Sequence, residues 1–224
     1  MKKAWICMTR IPKPGCTKTR LMPLLSGEEC AALHTAFLRD LAVLSEAVET
    51  DFFVSYTPGD GWEMLREIFP AARELFPQEG EELGARMHNA IVHVLELGYD
   101  ACVLTGSDLP CMSAEHINSG FAALAAADLT LGPTADGGYY LVGAKAPCAA
   151  IFEKQTYGIS TVFDATCAAA AGAGYTVGKA LPCDDVDTPD ELCALWEKCR
   201  GEETNTACCL RTIFAGKNDQ TVQF

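Results

Sequence analysis

Lys18 and Arg20 stand two residues apart in the loop Arg10-Ile11-Pro12-Lys13-Pro14-Gly15-Cys16-Thr17-Lys18-Thr19-Arg20-Leu21, which follows the apolar run Trp5-Ile6-Cys7-Met8. An ammonium and a guanidinium so placed can meet phosphate oxygens as a point charge and a forked donor, and Gly15 lets backbone N–H groups approach them closely. Six of the 17 Lys and Arg fall in the first 20 residues, ahead of the first acidic residue, Glu28, in a chain of formal net charge −13. That local excess predicts a small anion, a phosphate or diphosphate, as the occupant of the loop. Lys2, Lys3 and Lys13 read as solvated surface. A Walker A loop is excluded, because Thr17 and not Gly precedes Lys18 and the next helix signal waits until Ser26.

Carboxylates recur where strands should end. Asp108, in Thr105-Gly106-Ser107-Asp108-Leu109-Pro110, lies just past an apolar run and is fixed between Gly106 and Pro110, which suits a ligand for a hard cation such as Mg²⁺ or Mn²⁺. The competing reading is a turn residue ahead of a helix at Ser113. In Cys183-Asp184-Asp185-Val186-Asp187-Thr188-Pro189-Asp190 the crowded acids call for a cation, and Asp187 immediately precedes a helix cap. Asp108 and Asp187 brought together would supply two carboxylates to one metal ion, whereas Asp190 is favourable charge in a first helical turn.

Two further segments have polar or glycine-rich character. Asp136-Gly137-Gly138-Tyr139-Tyr140 contains an Asp-Gly hairpin turn signal that could by itself account for Asp136 and Gly137. The second glycine and the tyrosines predict more: backbone close to a ligand, Asp136 directed at it, and Tyr139 or Tyr140 as a wall. Gln78-Glu79-Gly80-Glu81-Glu82-Leu83-Gly84-Ala85-Arg86 is a polar loop able to hydrogen-bond a base, with Arg86 in the first turn of the next helix. Arg86 by itself is a weak signal.

Alternating elements must position these residues. Ser26 and Glu29 form a capping box opening an amphipathic helix to about Val48, Phe52 to Tyr56 reads as a strand, and Asp60 with Glu63 as the cap of a short helix. Leu83 to Leu97 carries helical spacing, and Ala101-Cys102-Val103-Leu104-Thr105 is the continuous apolar run of a strand buried on both faces. Helices follow at Ser113 to Ala127 and Ser160 to Ala171, and strands at Leu129 to Leu131, Tyr139 to Val142 and Tyr175 to Leu181. Thr188-Pro189-Asp190-Glu191 opens a helix toward Cys199, and Thr204 to Phe214 suggests one more before a loose tail. The alternation predicts an α/β fold, a three-layer α/β/α sandwich with a mainly parallel mixed sheet. Residues 1–200 read as a single domain and 201–224 as a C-terminal helix and tail packed on it.

Composition narrows the function. The acidic balance argues against a nucleic-acid partner, and no stretch is apolar for long enough to span a bilayer; without a leader pattern at Met1, a cytoplasmic location is expected. The twelve cysteines are dispersed without a C-x-x-C pair and read as buried reduced thiols, with Cys193, Cys199, Cys208 and Cys209 the one cluster where metal or redox chemistry has any support.

Pro14 to Leu21, Gly80 through Arg86, Gly106 to Pro110, Asp136 to Tyr140 and Asp185 to Asp190 together resemble a bacterial family of unassigned function. That family is similar to the nucleotide-diphospho-sugar transferases of GT-A fold and, more distantly, to the guanylyltransferases of molybdenum cofactor and phospholactate. The resemblance spans roughly the first 200 residues and is more specific for fold than for reaction. It implies that the loop with Gly15, Lys18 and Arg20 holds nucleotide phosphates, that Gln78, Gly80 and Arg86 border the nucleotide, that Gly137, Gly138 and Tyr139 contact an acceptor, and that Asp108 and Asp187 hold Mg²⁺ or Mn²⁺. Where nucleotidyl-transferring relatives carry L-x-G-G-x-S-x-R, this chain has a Pro-containing loop with a single Gly.

The expectation is a metal-dependent transferase that takes a nucleotide-diphospho-sugar, or a related nucleotide donor, and a small-molecule acceptor. Lys18, Arg20 and Asp136 would be its catalytic residues, the first two assisting the departing diphosphate and the third orienting or deprotonating the acceptor. The alternatives are nucleotidyl transfer from an NTP to a phosphorylated acceptor with release of pyrophosphate, and a nucleotide-binding module without turnover.

Overall fold

A computed structural model describes residues 1–215. Seven strands form one sheet in the order β3-β2-β1-β4-β6-β5-β7: β1 (Lys3–Thr9), β2 (Asp51–Tyr56), β3 (Glu74–Pro77), β4 (Ala101–Thr105), β5 (Leu129–Pro133), β6 (Tyr139–Ala144) and β7 (Val177–Lys179). Only β6 runs against its neighbours, pairing antiparallel with β4 and β5, so the sheet is mixed but mainly parallel.

Alternate strand residues pack on opposite layers. On one face Trp5, Cys7, Phe52, Val54 and Val103 meet α1 (Gly27–Glu46), α2 (Glu63–Ile68) and α4 (Ala114–Ala126) through Leu38, Leu65 and Phe121. On the other, Ile6, Phe53, Cys102, Leu104 and Val142 meet α3 (Leu83–Glu96) and α5 (Val162–Gly172) through Ile91, Val94 and Ala170. β1 and β4 are buried along nearly their whole length because both faces are covered, which explains their unbroken apolar sequence. The indole N–H of Trp5 donates to Thr105 Oγ1 at 2.9 Å, so the largest core side chain of β1 also satisfies a hydroxyl on β4.

Outside these layers α6 (Pro189–Cys199) and α7 (Asn205–Ala215) pack with the outer face of α1 in a third cluster that includes Leu33, Phe37, Leu192 and Leu210. Asp40 on α1 accepts backbone N–H donors from Asn205 and Thr206, capping α7 from a neighbouring helix. The tail after Ala215 lies outside the described residues.

The capping boxes at Ser26 and Thr188 are present, each with a Glu at the third helical position. Asp60, by contrast, does not cap α2: that helix begins after Trp62, with no side-chain cap bond. The edge strand β3 lacks a sequence signal because only Phe76 of its four residues is buried, and β7 is confined to three residues of the expected Tyr175 to Leu181 run. No helix among the described residues is long and apolar enough to cross a membrane.

Candidate functional site

β1 and β4 are parallel neighbours in the middle of the sheet, so the loops leaving their carboxyl ends rise side by side, where open α/β sheets bind ligands. The first carries Gly15, Lys18 and Arg20, and the second carries Asp108. The third contributor arrives from the far end of the chain: the N–H of Val186 donates to Asp108 O at 3.0 Å and draws Asp187 beside it. Asp187 is then held by the cap of α6, since Glu191 Oε2 accepts from the N–H groups of Asp187 and Thr188, each at 2.8 Å.

Lys18 is the centre of the cluster. Its Nζ lies 2.9 Å from Asp108 Oδ1, 3.1 Å from Asp187 Oδ1 and 2.7 Å from Val186 O, and its side chain is only 2% exposed. The backbone at Lys18 is left-handed, with φ 51°, a conformation that costs a non-glycine residue about 1–2 kcal/mol and turns the side chain inward here. Arg20 stays outside, 76% exposed, with Nη1 3.4 Å from Asp187 Oδ2. Gly15 has φ 70°, and its backbone lies against Gly27, where an added Cβ would come within 2.9 Å of Gly15 N.

Beneath the loop is a residue that the sequence did not single out. His34, on α1 and 2% exposed, has Nδ1 2.6 Å from Thr17 Oγ1, and Nε2 3.3 Å from both Thr9 Oγ1 and Ser107 Oγ. The Thr9 hydroxyl donates its own proton to Arg10 O at 2.9 Å, so it accepts from Nε2, and Nδ1 accepts from Thr17. Burial lowers the imidazole pKa to about 4, and the opposing pulls of Asp108, Lys18 and Arg10 leave it there. A neutral His34 thereby joins the end of β1, the basic loop and the residue before Asp108. Its position on a core-facing helix gave no sequence signal, whereas Thr17 and Ser107 lie inside the motifs themselves.

The three oxygens around the ammonium, two from carboxylates and one from a carbonyl, form a set of hard donors. Asp108 Oδ1 is buried, and its ion pair with Lys18 is not an aligned hydrogen bond. These residues fit Mg²⁺ or Mn²⁺ at the point the ammonium takes. Among the described residues no group of three or more His, Cys, Asp and Glu could hold a metal, so its other ligands would be water and bound phosphate. Asp185 stands close by; burial and then the Asp187 charge push its pKa up to about 6.

The remaining expected residues serve the scaffold first. The Gln78 amide N–H groups go to Thr9 O at 3.2 Å and Ser55 O at 3.0 Å, and its Oε1 accepts from the Thr57 hydroxyl. Arg86 ties down its own loop, donating to Gly80 O at 2.9 Å and Glu81 O at 3.2 Å, and Asn89 donates to Glu79 O at 3.0 Å. Three successive carbonyls are thus pulled toward α3, and the amide N–H groups that follow them point the opposite way. Gly80 itself, at φ 127°, has no room for a Cβ beside Ala85.

At the β5–β6 turn the Cβ side of each glycine is taken up by the chain itself. A Cβ on Gly137 would lie 2.0 Å from Ser160 O, and one on Gly138 would lie 2.9 Å from Thr134 Oγ1. Asp136 Oδ1 closes that turn, accepting from the Thr134 hydroxyl and from Gly138 N, and these bonds hold its pKa below the usual carboxylate range. Tyr139 packs its ring on the α3 and α5 side with its hydroxyl buried, and burial raises its pKa; Tyr140 faces the opposite layer and donates to Leu181 O. No disulfide joins any of the twelve cysteines among the described residues.

The fold is that of the nucleotide-diphospho-sugar transferases. The structure of a candidate nucleotide-diphospho-sugar transferase from Desulfovibrio desulfuricans G20 superposes with a TM-score of 0.88 at 28% identity, covering 96% of each chain. The fold recurs at lower similarity in a cytidylyltransferase from Leptospira borgpetersenii serovar Hardjo-bovis (TM-score 0.56, 14% identity, 100% of this chain and 97% of that one) and in a 4-diphosphocytidyl-2C-methyl-D-erythritol synthase (TM-score 0.57, 13% identity, 95% and 98%). No curated protein matches the sequence. Residues 40–159 match the family described as uncharacterized protein conserved in bacteria (DUF2064), and the chain belongs to that family.

Proposed function

We propose that the protein is a metal-dependent transferase acting on a nucleotide-diphospho-sugar, with a small-molecule acceptor. The observation that carries this reading is the convergence of Lys18, Arg20, Asp108 and Asp187 at the carboxyl ends of β1 and β4, with the carboxylates joined through one cation. A divalent cation held by Asp108 and Asp187 would supply positive charge where the leaving diphosphate becomes more negative. Arg20 is exposed and offers most of its guanidinium to phosphate oxygens, while the loop 79–82 directs amide N–H groups away from α3 toward a base. The acceptor hydroxyl attacks the anomeric carbon and releases its proton to solvent water, the bond from that carbon to the diphosphate breaks with its electron pair going to the diphosphate oxygen, and a nucleoside diphosphate leaves. Asp136, held at a low pKa, is a weak base and serves to orient the acceptor through its second oxygen.

Nucleotidyl transfer is the second reading, favoured by the fold shared with proteins named as cytidylyltransferases. It would release pyrophosphate. Incubating the protein with Mg²⁺ or Mn²⁺ and panels of NDP-sugars, or of NTPs with sugar phosphates, separates the two: a nucleoside diphosphate supports the first and pyrophosphate the second. Asp108→Asn and Asp187→Asn are expected to reduce metal-dependent nucleotide binding at least tenfold by calorimetry, and undiminished binding in both would overturn the metal assignment. Nucleotide binding with neither product would leave a binding module.

A further inference from the structure

The ammonium of Lys18 stands where a cation bound by Asp108 and Asp187 would have to sit. Three oxygens surround it: Val186 O at 2.7 Å and Asp187 Oδ1 at 3.1 Å accept its hydrogen bonds, and Asp108 Oδ1 lies 2.9 Å away as an ion-pair partner. Magnesium contracts such oxygens to about 2.0–2.1 Å and manganese to little more, so neither can share the point with a nitrogen. A dication a few ångströms from an ammonium in a partly buried site is also strongly repelled. Lys18 and Arg20 already pair with the Asp108 and Asp187 carboxylates, and Asp185 and Glu191 add further negative charge close by.

We propose that Lys18 is the resident counter-ion of the Asp108 and Asp187 pair, and that it yields this place to a divalent cation only when a diphosphate arrives to take the ammonium. Metal and diphosphate then enter as a unit, and the free protein holds the metal poorly. The stem of Lys18 belongs to the phosphate loop, so a modest swing moves Nζ from the carboxylates to an anion lodged over Gly15 and Arg20. The left-handed backbone at Lys18 points its side chain inward, toward the carboxylates. This exchange rests on the metal-dependent reading above and adds an order of binding that the reading does not require.

The test measures Mn²⁺ affinity by electron paramagnetic resonance on the full chain without phosphate, for the unaltered protein, Lys18→Met, and Lys18→Met combined with Asp108→Asn. Lys18→Gln, which keeps a donor for Val186 O, replaces the Met variant where that does not fold, with circular dichroism as the check. Expected is a gain of at least tenfold in Mn²⁺ affinity on losing the ammonium, abolished by Asp108→Asn. In the unaltered protein, inorganic pyrophosphate should raise Mn²⁺ retention, and in Lys18→Met it should raise it much less. Equal Mn²⁺ affinity with and without Lys18, still dependent on Asp108, would overturn the exchange and leave the metal site standing. Absence of Mn²⁺ binding in every form, with or without pyrophosphate, would overturn both.

Discussion

The N–H of Val186 donates to the carbonyl oxygen of Asp108 across 3.0 Å, joining residues 78 positions apart. Through this one backbone bond the segment that carries Asp187 is seated beside the loop that carries Asp108, and the carbonyl of Val186 is turned to Lys18 at 2.7 Å. The cluster is therefore built on backbone connections between loops, with the side chains added to a frame already closed.

His34 should be the residue whose loss the site feels most without touching a ligand. His34→Ala removes hydrogen-bond partners from Thr9, Thr17 and Ser107 and opens a cavity under the loop, at an expected cost of about 2–4 kcal/mol in urea unfolding. Thr17→Val, which deletes one hydroxyl at nearly constant volume, should cost about 1 kcal/mol and speed amide exchange in residues 14–21. Unchanged exchange there would show that the imidazole does not position the loop.

Arg86 braces the loop 79–82 rather than offering its guanidinium to solvent. Arg86→Gln is expected to leave stability within about 0.5–1 kcal/mol, since the site is only half-buried, yet to accelerate hydrogen exchange over 79–82. Weaker nucleotide binding should accompany the faster exchange. A variant with weakened binding and unaltered exchange would instead assign the guanidinium a direct contact.

Gly137 has φ 86° and a backbone oxygen where its Cβ would be. Gly137→Ala should therefore cost on the order of 2–3 kcal/mol and lower Tm by about 5–10 °C. Gly172→Ala, at the end of α5 with open space around it, serves as the control and should change Tm little. A small effect at Gly137 would mean that the 159–160 segment moves aside easily.

Tyr99 sets part of the alkaline limit. Burial, followed by its hydrogen bond to Asp51, raises its pKa to about 12. Because the folded value exceeds the unfolded one near 10, the contribution is complete below about pH 10 and is lost as pH climbs through about 12. Tyr99→Phe should be less stable by about 1 kcal/mol at pH 8 and should lose less than the unaltered protein between pH 10 and 12. Parallel denaturation profiles would contradict this.

Much of the architecture was legible because its signals are local. Ser26 with Glu29 and Thr188 with Glu191 announce helix starts within four residues, and the unbroken apolar run of β4 reports burial on both faces. β3 was not legible, since an edge strand of four residues with one buried side chain carries no pattern that differs from a loop. Asp60 was misread because a capping residue identifies itself only by a bond to the helix, and α2 begins without one. The glycines after Asp136 likewise signalled close approach without saying to what, and Ser160 is far enough along the chain to be invisible to any local pattern.

The sequence by itself determined the chemistry available: a basic loop after the first strand, aspartates after later ones, and an order of elements that builds a mainly parallel sheet. Periodicity, capping and turn chemistry act over a few residues and so are written in the primary order. Only the tertiary structure decided that Lys18 lies between Asp108 and Asp187, that His34 supports the loop from below, and that Arg86 and Gln78 serve the backbone first. Those relations depend on which strands are neighbours and on where a side chain finds its partner once water is excluded, and neither is fixed until the sheet has closed.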